Sequence, residues 1–251
     1  MNKLFELPKP VIFSHRGYSA NAPENTLAAF ELAIQHGAEA VELDAKMSSD
    51  GEVVVIHDQT VDRTTNGKGR VNQLTLVELK ALDAGSSFDA KFAGEKVPTL
   101  AEVFETIGGR ALINVELTNY ESHGDDLLPK VTALVKKFGL QDGIIFSSFH
   151  PLNIIKARML LPGVPAGLLT LEADQGKLLR AWPGRLVAPA LIHPWLDDAT
   201  DEFINAEHRR GRRVHVWTVN KAEDMTRLFN VGVDGIFTDD PVLAQKLLGR
   251  A

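Results

Sequence analysis

The chain has 251 residues, of which 44% are hydrophobic, and its formal net charge at pH 7 is −6. This length and apolar content suffice for a large core and are common for a single α/β barrel. Charges of both signs are interspersed and no basic face stands out, so we do not expect nucleic acid as a partner. There is no cysteine, which excludes disulfides and thiolate catalysis and suits a reducing compartment.

The chain also shows no membrane signal. Its start, MNKLFELPKP, has no apolar run long enough for a signal peptide, and no stretch approaches the roughly 20 apolar residues of a membrane span. We therefore expect a cytoplasmic protein without stable membrane insertion. The oligomeric state stays open.

Short apolar runs alternate with helical patterns along the chain. The first run, Val11–Ser14, ends in His15-Arg16-Gly17, and a helix follows the turn at Pro23-Glu24. Further barrel strands are predicted to begin near residues 41, 111, 144, 166, 186, 214 and 235, each with a helical pattern behind it. Eight such units in about 250 residues predict one α/β domain over residues 1–251, a (β/α)8 barrel of the TIM type.

A small insertion interrupts this alternation after the second strand. Between His57 and the next barrel strand lie about fifty residues, far more than a plain β-to-α connection needs. The segment from about 58 to 110 contains a turn cluster at 64–69 and helical patterns at 74–82 and 100–107. We expect it to lie over one end of the barrel.

Three carboxylates are predicted to meet where the strands end, which is where such barrels hold their active sites. Glu42 and Asp44 lie two positions apart in a strand and so point to one side, and the third strand offers Glu116. Alone they would repel and raise each other's pKa, whereas a divalent cation, Mg²⁺ or Ca²⁺, would relieve this. The alternative is that each pairs with a separate Lys or Arg. Arg16 is the only cation that the sequence places beside them.

Two histidines and two aromatic residues complete the candidate site. His15 and His57 would lie near one metal, which suits a general acid and a general base, although a lone His at a strand end is more often structural. With the planar fork of Arg16 the set indicates phosphoryl chemistry. Phe149 and Trp217, at later strand ends, are candidates for substrate binding. Weaker candidates are His150, His193 and His215, and no role is assigned to His36, His123 and His208.

An ordered set of short motifs resembles the glycerophosphodiester phosphodiesterase family. None of the motifs is specific alone, but the set covers the chain from about Val11 to the last helix. The motifs are His15-Arg16-Gly17, Ala22-Pro23-Glu24-Asn25-Thr26, Glu42-Leu43-Asp44, His57-Asp58, Arg63-Thr64-Thr65, Val115-Glu116-Leu117, Trp217-Thr218-Val219-Asn220 and Thr238-Asp239-Asp240-Pro241.

This resemblance implies a (β/α)8 barrel with a small insertion, and a divalent ion held by Glu42, Asp44 and Glu116. His15 and His57 would be the acid–base pair. The implied reaction splits a small-molecule glycerophosphodiester into glycerol 3-phosphate and an alcohol. By similarity to the phosphoinositide phospholipases, the glycerol 2-hydroxyl would attack phosphorus, giving a cyclic phosphate that water then opens.

One position departs from the family pattern. The family usually carries a Lys two residues after the third carboxylate, where it helps to hold the phosphate beside Arg16, and this chain has Thr118 there. Thr118 shares the strand face of Glu116, so we expect its hydroxyl to stand in for the Lys and to bind phosphate less strongly.

Two alternative functions are a lysophospholipase D-type enzyme acting on lipid and a non-catalytic barrel that binds a phosphate ligand.

Overall fold

The computed structural model describes residues 1–120 and 124–250, so His123 lies outside the described residues. The described strands are β1 Val11–Ser14, β2 Ala40–Met47, β3 Val53–Val55, β4 Leu112–Leu117, β5 Ile144–Ser148, β6 Ala166–Thr170, β7 Leu191–Pro194, β8 Arg213–Val216 and β9 Gly235–Thr238. All except β3 pair in parallel and close into a barrel, because β1 pairs with both β2 and β9. The predicted eight-stranded barrel is confirmed.

Helices occupy the connections between the strands. The described helices are α1 Leu27–Gln35, α2 Leu76–Ala81, α3 Leu100–Ile107, α4 Leu127–Lys137, α5 Pro151–Leu160, α6 Ala173–Arg180, α7 Trp182–Val187, α8 Asp201–His208, α9 Ala222–Val231 and α10 Pro241–Leu247. Polar caps fix several starts; the Thr26 hydroxyl accepts from the N–H of Ala29, and Asp240 accepts from Leu243. Among these helices none is both long and apolar enough to cross a membrane.

The segment after β2 builds a small layer of its own. Strand β3 runs antiparallel to β2, with Ala45 opposite Val55. Behind it, 3₁₀ turns at Val71–Gln73 and Ala90–Phe92 and the short helix α2 lead into α3. The layer encloses a separate apolar cluster of Val54, Ile56, Val61, Val71, Leu79, Ala84 and Val97. The insertion predicted after the second strand is therefore present, whereas the single domain over residues 1–251 stays a prediction.

The sixth barrel strand differs from its prediction. The strand predicted to begin near residue 186 begins only at Leu191, because Leu186 and Val187 end α7. The predicted bounds are wrong because a short apolar run does not by itself distinguish a strand from a helix end. Leu186 is 69% exposed, which a residue in a closed barrel wall would not be.

Two histidines pack inside the barrel. His193 on β7 and His215 on β8 are fully buried, with ring centroids 5.0 Å apart, and contact Phe237 and Phe13 respectively. Burial, with the charge of Arg212, lowers the pKa of His193 to about 3. Burial beside His193 also lowers the pKa of His215 well below its usual value. Both side chains are therefore neutral in the folded protein near neutral pH.

We expect these buried histidines to make the protein less stable in acid. The unfolded chain takes up protons on both near pH 6.5, whereas the folded protein does not, so the free energy of unfolding falls as the pH drops from about 6.5 toward 3. Urea unfolding between about pH 7 and pH 5 should show a shallower pH slope for His215→Phe than for the wild type. His36→Gln, at an exposed position, should keep the wild-type slope. Equal slopes for His215→Phe and the wild type would contradict this assignment.

Candidate active site

The register between β2 and β4 brings the three predicted carboxylates together. Asp44 lies directly opposite Glu116, and Glu42 precedes Asp44 by two residues on the same face of β2. One ligand oxygen from each of the three lies within 4.8 Å of the others. Glu42 and Asp44 are buried, and Glu116 is partly buried. The three negative charges therefore share a small volume that water reaches poorly.

This crowding shifts the protonation of the carboxylates. Burial, and then the charges of Asp44 and Glu116, raise the pKa of Glu42 well above its usual value. Burial and the charge of Asp44 raise the pKa of Glu116 to about 7. Burial alone would also raise the pKa of Asp44, but the nearby charges of Arg16 and His57 hold it below its ordinary value. The cluster thus carries more negative charge than its own surroundings balance.

The donor set fits a hard divalent cation. Oδ1 of Asp44 is buried and has no hydrogen-bond partner within the described chain, which is unfavourable for a carboxylate oxygen. Carboxylate oxygens are the ligands that Mg²⁺ and Ca²⁺ prefer. Within residues 1–120 and 124–250, the group of Glu42, Asp44 and Glu116 is the one set of acidic, His or Cys side chains close enough to hold an ion.

Each predicted catalytic histidine is held by a carboxylate through Nδ1. The Nδ1 atom of His15 lies 2.7 Å from Oδ1 of Asp239, and that of His57 lies 2.7 Å from Oδ1 of Asp58. A carboxylate at Nδ1 fixes the orientation of the ring. Nε2 is then the nitrogen of each ring that can exchange a proton with a bound molecule.

One pocket at the carboxyl ends of the strands contains most of the predicted site residues. The pocket is lined by His15, Arg16, Glu42, His57, Asn114, Glu116, Phe149, Leu169, Trp217, Thr218 and Phe237. Phe149 and Trp217 make an edge-to-face contact, with centroids 5.1 Å apart, and Tyr120 and Trp195 extend this row of rings. The pocket therefore combines an apolar aromatic wall with a charged set of carboxylates and histidines.

Backbone conformation and side-chain contacts both hold Arg16 at the carboxylates. Arg16 has φ 58°, in the left-handed region that costs a non-glycine residue on the order of 1 kcal/mol. Its N–H donates to Oε2 of Glu42 at 3.0 Å, and its Nε lies 3.4 Å from Oδ2 of Asp44. Asn25, also left-handed at φ 57°, donates from its backbone to the Arg16 carbonyl and from its side chain to Asp44. The unfavourable backbone thus places a cation against two of the carboxylates.

Thr118 lies outside this pocket. Its hydroxyl donates to the Ala45 carbonyl at 2.7 Å and accepts from Nζ of Lys46 at 2.9 Å. Thr118 and Lys46 both line a neighbouring cleft. The expectation that Arg16 is the only cation beside the carboxylates is wrong. Lys46 is 5% exposed, follows Asp44 by two residues on the same face of β2, and its charge opposes the rise in the pKa of Glu116. The rule that residues two apart in a strand share one face, which groups Glu42 with Asp44, also predicts Lys46 on that face.

Several supporting residues were also missed. Asp58 and Asp239 were quoted only as parts of motifs, and Asn25 was given no role although its side chain bonds Asp44. Tyr120 donates from its hydroxyl to Oε1 of Glu116. Asn114 lines the pocket with a buried Oδ1 that has no partner among the described residues. His193 and His215 are not among the residues that line the pocket.

Comparison with known proteins identifies the family of this chain. The glycerophosphoryl diester phosphodiesterase family profile matches residues 15–243. A glycerophosphodiester phosphodiesterase of Caldanaerobacter subterraneus is 41% identical over 235 residues, which cover 93% of this chain and 95% of the relative. One from Bacillus altitudinis is 36% identical over 242 residues, covering 94% of this chain and 97% of the relative.

A solved structure extends this agreement to three dimensions. The Oleispira antarctica phosphodiesterase, solved in complex with the product sn-glycerol-3-phosphate, is 31% identical and superposes with a TM-score of 0.89. The match covers 99% of this chain and 100% of that one. The chain therefore belongs to the glycerophosphoryl diester phosphodiesterase family, as the resemblance of its motifs implied, and it is an enzyme of that family rather than a non-catalytic barrel.

Proposed function

We propose that the protein hydrolyses glycerophosphodiesters to glycerol 3-phosphate and an alcohol, using a divalent cation and acid–base catalysis by His15 and His57. The observation that carries this proposal is one pocket in which clustered carboxylates lie beside two carboxylate-bound histidines. Sn-glycerol-3-phosphate bound to the Oleispira antarctica relative supports the same product for this chain. A cytoplasmic location, expected from the sequence, is part of the same proposal.

The charged groups of the pocket would bind the phosphodiester. Glu42, Asp44 and Glu116 would hold the cation, which when bound supplies positive charge to the non-bridging phosphate oxygens. Arg16 lines the same pocket, and its Nε makes no hydrogen bond within the described residues. Its planar fork matches the phosphate oxygens. The aromatic pair Phe149 and Trp217 would cover the apolar carbons of the substrate.

The two histidines account for the proton transfers of the cyclic route. One histidine takes the proton of the glycerol 2-hydroxyl through Nε2 as that oxygen bonds to phosphorus. The bond from phosphorus to the alcohol oxygen breaks, and the other histidine gives its Nε2 proton to the departing alcohol. In the second step the roles reverse: the other histidine takes a proton from water as the water oxygen bonds to phosphorus, the bond from phosphorus to the glycerol 2-oxygen breaks, and the first histidine returns a proton to that oxygen, which leaves glycerol 3-phosphate. Each cycle returns His15 and His57 to their starting protonation.

Metal dependence tests the centre of this proposal. Exhaustive chelation should abolish turnover of glycerophosphocholine, and Mg²⁺ or Ca²⁺ should restore it, because the charges of Arg16 and Lys46 still leave the pKa of Glu116 raised to about 7. The ion should also raise the melting temperature, since it binds the folded protein only. The comparison substrate is lysophosphatidylcholine, which a lysophospholipase D-type enzyme would prefer. Undiminished turnover in chelator would overturn the metal assignment, and preference for the lipid would overturn the substrate class.

Replacement of either histidine should impair chemistry more than binding. His15→Ala and His57→Ala should each lower kcat by about 10²-fold or more, as expected when a positioned acid or base is lost. The double variant should lose less than the product of the single losses, because both groups act in one cycle. Steady-state kinetics on glycerophosphocholine measures this, with His36→Gln as the control. A variant that kept near-normal kcat would identify its histidine as structural.

Lys46 is expected to strengthen phosphate binding, in place of the Lys that the family carries at position 118. Lys46 follows Asp44 by two residues on the same face of β2, and its charge acts on Glu116 in the pocket. If its ammonium turns from Thr118 to the bound phosphate, loss of that charge-assisted hydrogen bond should raise KM about tenfold in Lys46→Met. Thr118→Val, which removes the hydroxyl that holds Nζ, should raise KM less. Lys80→Met is the control, because Lys80 pairs with Glu102 outside the barrel. An unchanged KM in folded Lys46→Met would show that Lys46 does not reach the substrate.

A further inference from the structure

The guanidinium of Arg63, in the insertion, binds two carboxylates at once. Nη1 and Nη2 donate to Oε2 and Oε1 of Glu24 at 2.7 and 2.8 Å. Nε and Nη2 donate to Oδ2 and Oδ1 of Asp58 at 2.7 and 3.1 Å. Both contacts are bidentate, a geometry that the planar fork of an Arg allows and the single ammonium of a Lys does not.

Each of these carboxylates in turn holds a residue of the pocket. Oε1 of Glu24 also accepts a hydrogen bond from Nη1 of Arg16 at 2.9 Å. Oδ1 of Asp58 also lies 2.7 Å from Nδ1 of His57. A continuous chain of charged hydrogen bonds therefore runs from Arg16 through Glu24, Arg63 and Asp58 to His57. The two ends of this chain, Arg16 and His57, line the same pocket, and its central member, Arg63, lies in the insertion.

We propose that Arg63 is a positioning residue, which fixes the ring of His57 through Asp58 and the guanidinium of Arg16 through Glu24. The proposal rests on the roles proposed above for His57 and Arg16. Without Arg63, the side-chain contacts that remain to these carboxylates among the described residues are that of Asp58 with His57 and that of Glu24 with Arg16. Each carboxylate is then free to turn, and the group that it holds turns with it. Arg63 thus makes the geometry of an acid–base group and of a phosphate-binding group depend on one side chain.

Stability alone does not explain this arrangement. The Arg63 side chain is 49% exposed, and ion pairs at exposed sites contribute little to folding. Positioning is different, because a displacement of about 1 Å in a reacting group can lower the rate about 10²-fold. Loss of Arg63 should therefore lower kcat strongly while the melting temperature stays near that of the wild type.

Kinetics of a variant set tests the proposal. Arg63→Met should lower kcat about 10-fold or more and raise KM several-fold, with about the wild-type melting temperature. Arg63→Lys should recover little of either loss, because it cannot bind both carboxylates. Asp58→Asn should lower mainly kcat, through His57, and Glu24→Gln should raise mainly KM, through Arg16. Adding Arg63→Met to either variant should change kcat and KM by a smaller factor than it does in the wild type, because these residues belong to one chain of hydrogen bonds.

Arg110 provides the matched control. It makes a two-point contact with Glu31 on the outer surface and is 45% exposed, close to the exposure of Arg63. Arg110→Met should leave kcat and KM unchanged. Guanidinium ion should restore turnover to Arg63→Ala in a saturable manner, whereas NaCl at the same ionic strength and urea should not.

Three outcomes would overturn the proposal while leaving the proposed function intact. The first is wild-type kcat and KM in Arg63→Met when His57→Ala is impaired. The second is full recovery in Arg63→Lys, which would show that charge alone matters. The third is a loss that adds completely to those of Asp58→Asn and Glu24→Gln. Failure of the proposed function is distinct, because it would appear as near-normal kcat in His57→Ala itself.

Discussion

The repulsion among Glu42, Asp44 and Glu116 is the constraint on which the rest of the site depends. Two buried carboxylates and a partly buried third within 4.8 Å of one another are unstable unless positive charge reaches them. The protein supplies part of that charge. Arg16 accepts a left-handed backbone to reach the cluster, and Lys46 approaches it from the same strand as Asp44. Arg16 lowers the pKa of Asp44, but the two cations together leave the pKa of Glu116 raised to about 7. In the function proposed here, a bound divalent cation would complete the balance, and the unbalanced negative charge would give the site its affinity for such an ion.

The barrel and the insertion contribute differently to this site. The parallel pairing of β2 with β4 fixes the positions of the carboxylates, because it places Asp44 opposite Glu116. The histidines instead depend on carboxylates supplied by the connections: Asp239 follows β9, and Asp58 follows β3 in the insertion. The insertion is therefore more than a cover over one end of the barrel. It brings one of the two histidine-holding carboxylates and joins it, through Arg63 and Glu24, to Arg16 in the pocket.

Much of this arrangement was predictable from the sequence, and the exceptions have physical reasons. The spacing of two between Glu42 and Asp44 implies a shared strand face, and eight βα units imply a closed barrel whose strand ends meet. The late start of β7 was not predictable, because a short apolar run fits either a helix end or a strand. Contacts between distant segments, such as that of Glu24 with Arg63 in the insertion, depend on side-chain packing that no local pattern encodes. Lys46 was overlooked although the same spacing rule reaches it from Asp44.

Calorimetric titration of the chelated protein with Mg²⁺ or Ca²⁺ tests the central claim most directly, because it measures the ion and not the reaction. The account predicts one divalent ion per chain in the wild type, strongly weakened binding in Glu116→Gln and in Asp44→Asn, and undiminished binding in Arg110→Met. Glu116→Gln keeps the shape of the side chain and removes only its charge, so a loss of binding there identifies the carboxylate as a ligand. Wild-type affinity in both Glu116→Gln and Asp44→Asn would contradict the account, because the ion would then bind elsewhere and the clustered carboxylates would have another purpose.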